Sequence, residues 1–239
     1  MSVPFVMSYM SSGCDYEENI IFDHCKKKGH PYHMILNEPP KDECIPIGSV
    51  EFCEKVYGII TPDYYPLFLS EFLYRKIQTL PYGEVKGLGM FTKPALEYKT
   101  WAGTTKSVDV PDETIVHTSP AVTFGDEWRY YILNGNVYAS GWYGVSEYDE
   151  SLEDQEEEEY YESQWDNHSI APQLPDRMIQ LLKQVNYTGL VDMGILESHP
   201  LKPLALVEVS HPYGFGWYAD RELYPDYMIQ VHEYMKNLH

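Results

Sequence analysis

Basic residues are scarce. The 239-residue chain carries 17 Lys and Arg against 37 Asp and Glu, a formal net charge of −20. That balance argues against a general nucleic-acid footprint, which needs a basic face, but it leaves room for a local basic pocket. No apolar run is long enough to span a bilayer, and no signal or transit peptide pattern is present, so a soluble cytoplasmic protein is expected. The four cysteines, Cys14, Cys25, Cys44 and Cys53, form no C-x-x-C pair and match no common zinc spacing. They read as free thiols of a reducing compartment. A metal cluster with His24, His30 or His33 is the alternative. Walker A, Gly-x-Gly-x-x-Gly, Gly-x-Ser-x-Gly and His-Glu-x-x-His motifs are all missing, as is any internal repeat.

What is present is a globular composition, 44% hydrophobic and 15% aromatic, in a chain long enough for one large domain or two joined lobes. The charge is concentrated. Residues 147–166 hold eleven acidic residues and no Lys or Arg, so the remainder carries about −9. With no apolar period to bury it, the acidic loop, about 147–168, reads as solvated, or alternatively as a recruitment surface for a basic protein partner.

Residues 1–60 alternate strand and helix: a strand over Val3–Met10, a helix over Asp15–Lys28, a strand over His33–Leu36, and a helix capped by Ser49. A few parallel strands follow from that alternation. Pro62 and the apolar spacing through Leu69, Phe72, Leu73 and Ile77 predict a helix over Tyr65–Gln78, with Arg75 and Lys76 as caps or solvated charges. Strands are then expected at Gly89–Pro94, Thr114–Val116 and Ala121–Phe124. Glu127–Ser140 reads as a hairpin turned at Asn134-Gly135. A helix over Leu174–Val185 precedes two short apolar strands, and another over Arg221–His239 closes the chain.

Those two strands, within Gly189–Leu196 and Leu204–Ser210, each carry one acid, Asp192 and Glu208. Buried carboxylates on adjacent strands cost several kcal/mol unless a cation lies near them. One reading exposes both at a sheet edge. The other makes them ligands of Mg²⁺, which takes a couple of carboxylates plus phosphate oxygens. Lys93, Lys99 and Arg129 supply the cations that a nucleoside triphosphate needs, although Arg129 equally suits an ion pair with Glu127.

In order, Phe91-Thr-Lys93-Pro94, Lys99-Thr-Trp-Ala-Gly103, Glu127-Trp-Arg129, Val191-Asp192-Met-Gly194 and Val207-Glu208-Val-Ser210 resemble the ATP-grasp superfamily. More narrowly they are similar to its small phage and bacterial clade marked by one arginine and two lysines. The resemblance covers roughly residues 45–220. It implies an α+β ATP-grasp fold, two lobes of mostly antiparallel sheet clamping a nucleotide. Residues 1–60 would form a small pre-grasp-like α/β region and residues 61–239 the ATP-grasp domain. It further implies Lys93 on the α- and β-phosphates, Lys99 on a covering loop, and His117, Thr118, Ser119 and Ala121 along the hinge beside adenine. Arg129 would face the γ-phosphate, with Asp192, Glu208 and Ser210 around Mg²⁺. Members of the superfamily usually carry Asn where this chain has Ser210. The implied activity is ATP-dependent joining of a carboxylate to an amine, on a small molecule, a peptide or a modified macromolecule. The loop Ser210–Tyr218 would line the acceptor pocket, with His211 as a general base or simply a surface histidine. A nucleotide-binding module that regulates a partner through its acidic loop is the competing reading, and an acidic mimic of nucleic acid a third.

Overall fold

The computed structural model describes residues 3–8, 16–35, 43–59, 63–95, 101–145 and 170–238. The expected acidic loop and Lys99 lie outside the described residues. Three sheets organise what is described.

The N-terminal region places β1 (Phe5–Ser8) between β2 (Tyr32–Ile35) and β3 (Ile45–Ile47), both parallel to it. Parallel neighbours require crossovers, and α1 (Tyr16–Lys28) provides the one between β1 and β2. Its first turn is acidic and its last turn holds Lys26, Lys27 and Lys28, the polarity that the helix dipole favours. Ser49 caps α2 (Val50–Tyr57), its hydroxyl accepting from Phe52 N at 3.3 Å, as its position before the apolar run predicts.

A small antiparallel sheet follows, with β6 (Ile115–Ser119) between β4 (Gln78–Pro81) and β5 (Phe91–Pro94). The large sheet is antiparallel too, in the order β10 (Leu204–Ser210), β9 (Gly189–Leu196), β7 (Phe124–Leu133), β8 (Asn136–Val145). Asn134 and Gly135, with φ of 49° and 74°, turn β7 into β8 as the Asn-Gly signal requires. The helix α3 (Asp176–Gln184) is bounded by Pro175 at its N-cap, and α4 (Tyr224–Lys236) is the last helix described.

The alternation along β7 assigns its faces. Trp128, Tyr130 and Ile132 pack in one core with Met178 and Leu182 of α3 and with Leu69 and Phe72. Tyr131 and Leu133 point the other way, into a core shared with β1, β3, α2, Trp217 and Tyr227. Residues 1–60 therefore bury their apolar face against the large sheet and α4 rather than forming a core of their own.

One expected element is corrected. Residues 65–78 do not form a helix: Leu67–Phe72 make a 3₁₀ turn, and Gln78 already belongs to β4. Leu69, Phe72 and Leu73 are all buried, so the apolar spacing does mark the inner face, but a 3₁₀ turn brings i and i+3 together as well as an α-helix does. Tyr74, at φ 49°, then breaks any helical continuation. The segment lies instead along the open edge of β10. Val209 N donates to Tyr64 O at 3.0 Å, and Arg75 donates to Leu206 O at 2.8 Å and Val207 O at 2.9 Å. The edge is thereby covered, and Arg75 is neither a cap nor a solvated charge.

Candidate active site

Arg129 on β7, Asp192 on β9 and Glu208 on β10 occupy directly opposed positions across three neighbouring strands. Equal register puts all three side chains on one face of the sheet. The spacing that achieves this involves irregularities in β7 between Glu127 and Trp128 and in β10 between Leu206 and Glu208. Across the gap, Lys93 on β5 faces this row from the small sheet.

These groups pair. Arg129 Nε and Nη2 donate to Asp192 Oδ1 and Oδ2, both at 2.8 Å, a bidentate fork in which Arg129 is 6% and Asp192 2% exposed. Lys93 Nζ donates to Glu208 Oε2, joining the two sheets. The same ammonium lies 3.6 Å from the centroid of the Tyr64 ring. The edge-exposed reading of the two acids fails for Asp192, which is buried, and Arg129 pairs with Asp192 rather than with Glu127.

The loop after β10 covers the fork. Arg129 Nη1 donates to Gly216 O at 3.4 Å, and its guanidinium carbon lies 5.5 Å from the Tyr218 ring centroid. Tyr131 fastens the loop, its hydroxyl donating to Gly216 O at 2.9 Å and accepting from Tyr218 N at 2.8 Å.

Glu127, which the sequence offers only as an ion-pair partner, belongs to this environment. Burial, then the charges of Asp192 and Glu208, raises its carboxyl to about 7. It lies opposite Gly194. A Cβ built there would come within 2.8 Å of Phe124 Cδ1 and 3.0 Å of Glu127 Cγ, so the glycine of Val191-Asp192-Met193-Gly194 makes room for both side chains. The signal available in the sequence was an acidic residue two positions before Arg129 on the same strand, hidden by the irregularity between them.

His117 on β6 is the register partner of Lys93. Its Nδ1 lies 2.9 Å from Thr79 Oγ1, and its ring meets Tyr65 edge-on at 5.2 Å. Burial and then Lys93 lower its pKa. The Thr118 and Ser119 hydroxyls are buried and donate to Phe91 O at 2.9 Å and Pro120 O at 3.0 Å. Ala121 is exposed in the connection from β6 to β7, the strand that enters the large sheet.

The structure thus brings Lys93, His117, Arg129, Asp192 and Glu208 together. Ser210 lies two residues beyond Glu208 on the same strand. His211 is buried, not on the surface, and stacks on Tyr213 at 5.0 Å. Ser210 and His211 line a separate cavity at the end of β10. The described residues hold no group of three or more His, Cys, Asp or Glu placed for a metal ion, so the cluster alternative for His24, His30 or His33 finds no support there. Cys25, Cys44 and Cys53 are free and buried; Cys14 lies outside the described residues. No helix among the described residues is long and apolar enough to cross a membrane.

A family model described as an ATP-grasp domain, family 2 of the clade designated by one arginine and two lysines, matches residues 72–226. Among solved structures, the D-alanine–D-alanine ligase of Bacillus anthracis complexed with ATP is similar at a TM-score of 0.54 and 14% identity, covering 100% of this chain and 99% of that one. The ATP-grasp ligase PsnB complexed with a minimal precursor gives 0.51 and 11%, over 96% and 100%. Macrocyclase MdnB from Microcystis aeruginosa MRC gives 0.51 and 9%, over 98% and 99%. At such identities the likeness concerns the fold. No curated protein matches the sequence.

Proposed function

The chain belongs to the ATP-grasp superfamily, in family 2 of the one-arginine, two-lysine clade, and from that premise we propose that it is an ATP-dependent ligase joining a carboxylate to an amine. The observation that carries the reading is the row Arg129–Asp192–Glu208 on one sheet, facing Lys93 on the other. Cations and carboxylates in alternation across a cleft are what a metal-bridged triphosphate requires.

The residues fit Mg²⁺ as far as their chemistry goes. Two carboxylates lie opposite one another, and Mg²⁺ bound through phosphates needs one or two, not a full protein cage. Asp192 and Glu208 would hold the ion, with the Ser210 hydroxyl in place of the usual amide. When bound, Mg²⁺ supplies neutralisation of the phosphate charge.

Lys93 would hold the α- and β-phosphates and Lys99 cover them. His117, Thr118, Ser119 and Ala121 would border the base. Because the Thr118 and Ser119 hydroxyls are committed to backbone carbonyls, that border would act through main-chain groups and the His117 ring. Arg129 orients Asp192 through its fork and would meet the γ-phosphate with its remaining edge. In the first step a substrate carboxylate oxygen attacks the γ-phosphorus and ADP leaves, giving an acyl-phosphate. In the second an amine nitrogen attacks the acyl carbon, phosphate leaves, and the amine loses a proton, for which buried His211 is the candidate acceptor. Residues 1–60 act as the pre-grasp-like region and residues 61–239 as the catalytic domain.

The test is Mg²⁺-dependent ADP release over a panel of carboxylates and amines. Glu208→Gln should lower release by at least about a hundredfold, the scale of losing one preorganised charge contact, with the far-UV spectrum unchanged. Full turnover in that variant would remove Glu208 from the site and the ligase reading with it.

A further inference from the structure

A cavity of about 640 Å³ opens at the C-terminal end of β10, between the 3₁₀ turn Leu67–Phe72, the Tyr187–Thr188 turn and the start of the covering loop. That volume is in the range of small-molecule pockets and suits an amino-acid or dipeptide unit. Its walls include Phe68, Tyr187, Val209 and Pro212, and its polar groups include Asp63, Ser210 and buried His211. Among the described residues of the lining, Asp63 is the one acid, and none is Lys or Arg. An apolar chamber with a carboxylate at its rim complements a cation on an apolar stem, and the net charge of −20 attracts the same species.

The cavity also adjoins the cleft. Asp63 precedes Tyr64, whose ring lies on Lys93 and whose carbonyl binds Val209 N, and Val209 follows Glu208. Tyr187 closes the junction, its hydroxyl donating to Leu190 O at 3.2 Å.

We propose that this cavity binds the amine acceptor, and that the acceptor is a primary amine borne on an apolar or aromatic group, with its ammonium on Asp63 and its side chain against Phe68 and Tyr187. The role as acceptor rests on the ligase reading; the binding preference rests on the lining alone. The two can therefore fail separately.

L-Phenylalaninamide, titrated calorimetrically into the full chain without nucleotide, should bind, while N-acetyl-L-phenylalaninamide, which lacks the charge, and glycinamide, which lacks the ring, should each bind at least about tenfold more weakly. Asp63→Asn should erase the preference over the acetylated probe, and Phe68→Ala the preference over glycinamide. Asp63 is exposed, so its substitution leaves the fold in place. Absence of binding, equal binding of all three probes, or preferences unaltered in both variants would overturn the proposal, whatever ATP does. Stabilisation by ATP with Mg²⁺, measured on the same sample, reports on the ligase reading independently: its loss alongside selective amine binding would sink that reading and leave the pocket standing.

Discussion

The fork between Arg129 and Asp192 should behave as a buried ion pair, costly to break from one side and cheap to replace from both. With Asp192 2% exposed and two hydrogen bonds of 2.8 Å lost, Arg129→Met strands a carboxylate that water cannot reach. Breaking such a pair from one side costs about 3–5 kcal/mol. In a domain of this size that corresponds to a fall in Tm of roughly 6–20 °C. The double variant Arg129→Met/Asp192→Leu removes both charges and fills part of their volume, so its loss should stay within about 1–2 kcal/mol of the parent. Urea denaturation followed by tyrosine and tryptophan fluorescence measures both, provided the slope of the transition is unchanged. The double variant should also be inactive in ADP release while folded, which separates the pair's structural role from its chemical one. A single variant as stable as the parent, or a double variant as unstable as the two single losses combined, would refute the claim that the fork is sealed beneath Tyr218.

Three further outcomes follow from the same site. Glu127 is raised from 4.5 to about 7, so between those values the folded chain retains a proton that the unfolded chain releases, and stability falls as pH rises through the window. Glu127→Gln should flatten that slope by up to about 3 kcal/mol between pH 4 and 8, read from urea midpoints; an unchanged slope would show that Glu127 titrates normally. Gly141→Ala would place a Cβ 1.9 Å from Tyr218 O, a backbone clash that no rotamer relieves. It should cost at least about 2 kcal/mol and speed proteolysis within 211–220, because the loop must leave β8. Under the ligase reading, Mg²⁺ and ATP should each stabilise the chain weakly alone and strongly together, since Lys93 and Glu208 neutralise each other until both ligands replace them; additive thermal shifts would contradict this.

Much of the local architecture was legible because it is local. The Asn134-Gly135 turn, the Ser49 cap and the alternation of β7 each depend on a few consecutive residues, and each lies where its pattern puts it. The segment 65–78 escapes such a reading because its apolar period suits two kinds of turn, and the choice between them is made by the exposed edge of β10, more than 120 residues away. The same distance hides Arg75 as an edge cover and Glu127 as a group perturbed by two acids on other strands.

Charge in an apolar setting is visible in the bare chain, and that sufficed to single out Lys93, Arg129, Asp192 and Glu208. Their strands are visible too, since periodicity and turn chemistry are written into short windows. Which cation meets which acid, that Tyr218 roofs one pair, and that a cavity with a single carboxylate adjoins the other became fixed only on folding. Those outcomes depend on strand register and on the approach of two sheets, quantities set by packing across the whole chain and carried by no single stretch of it.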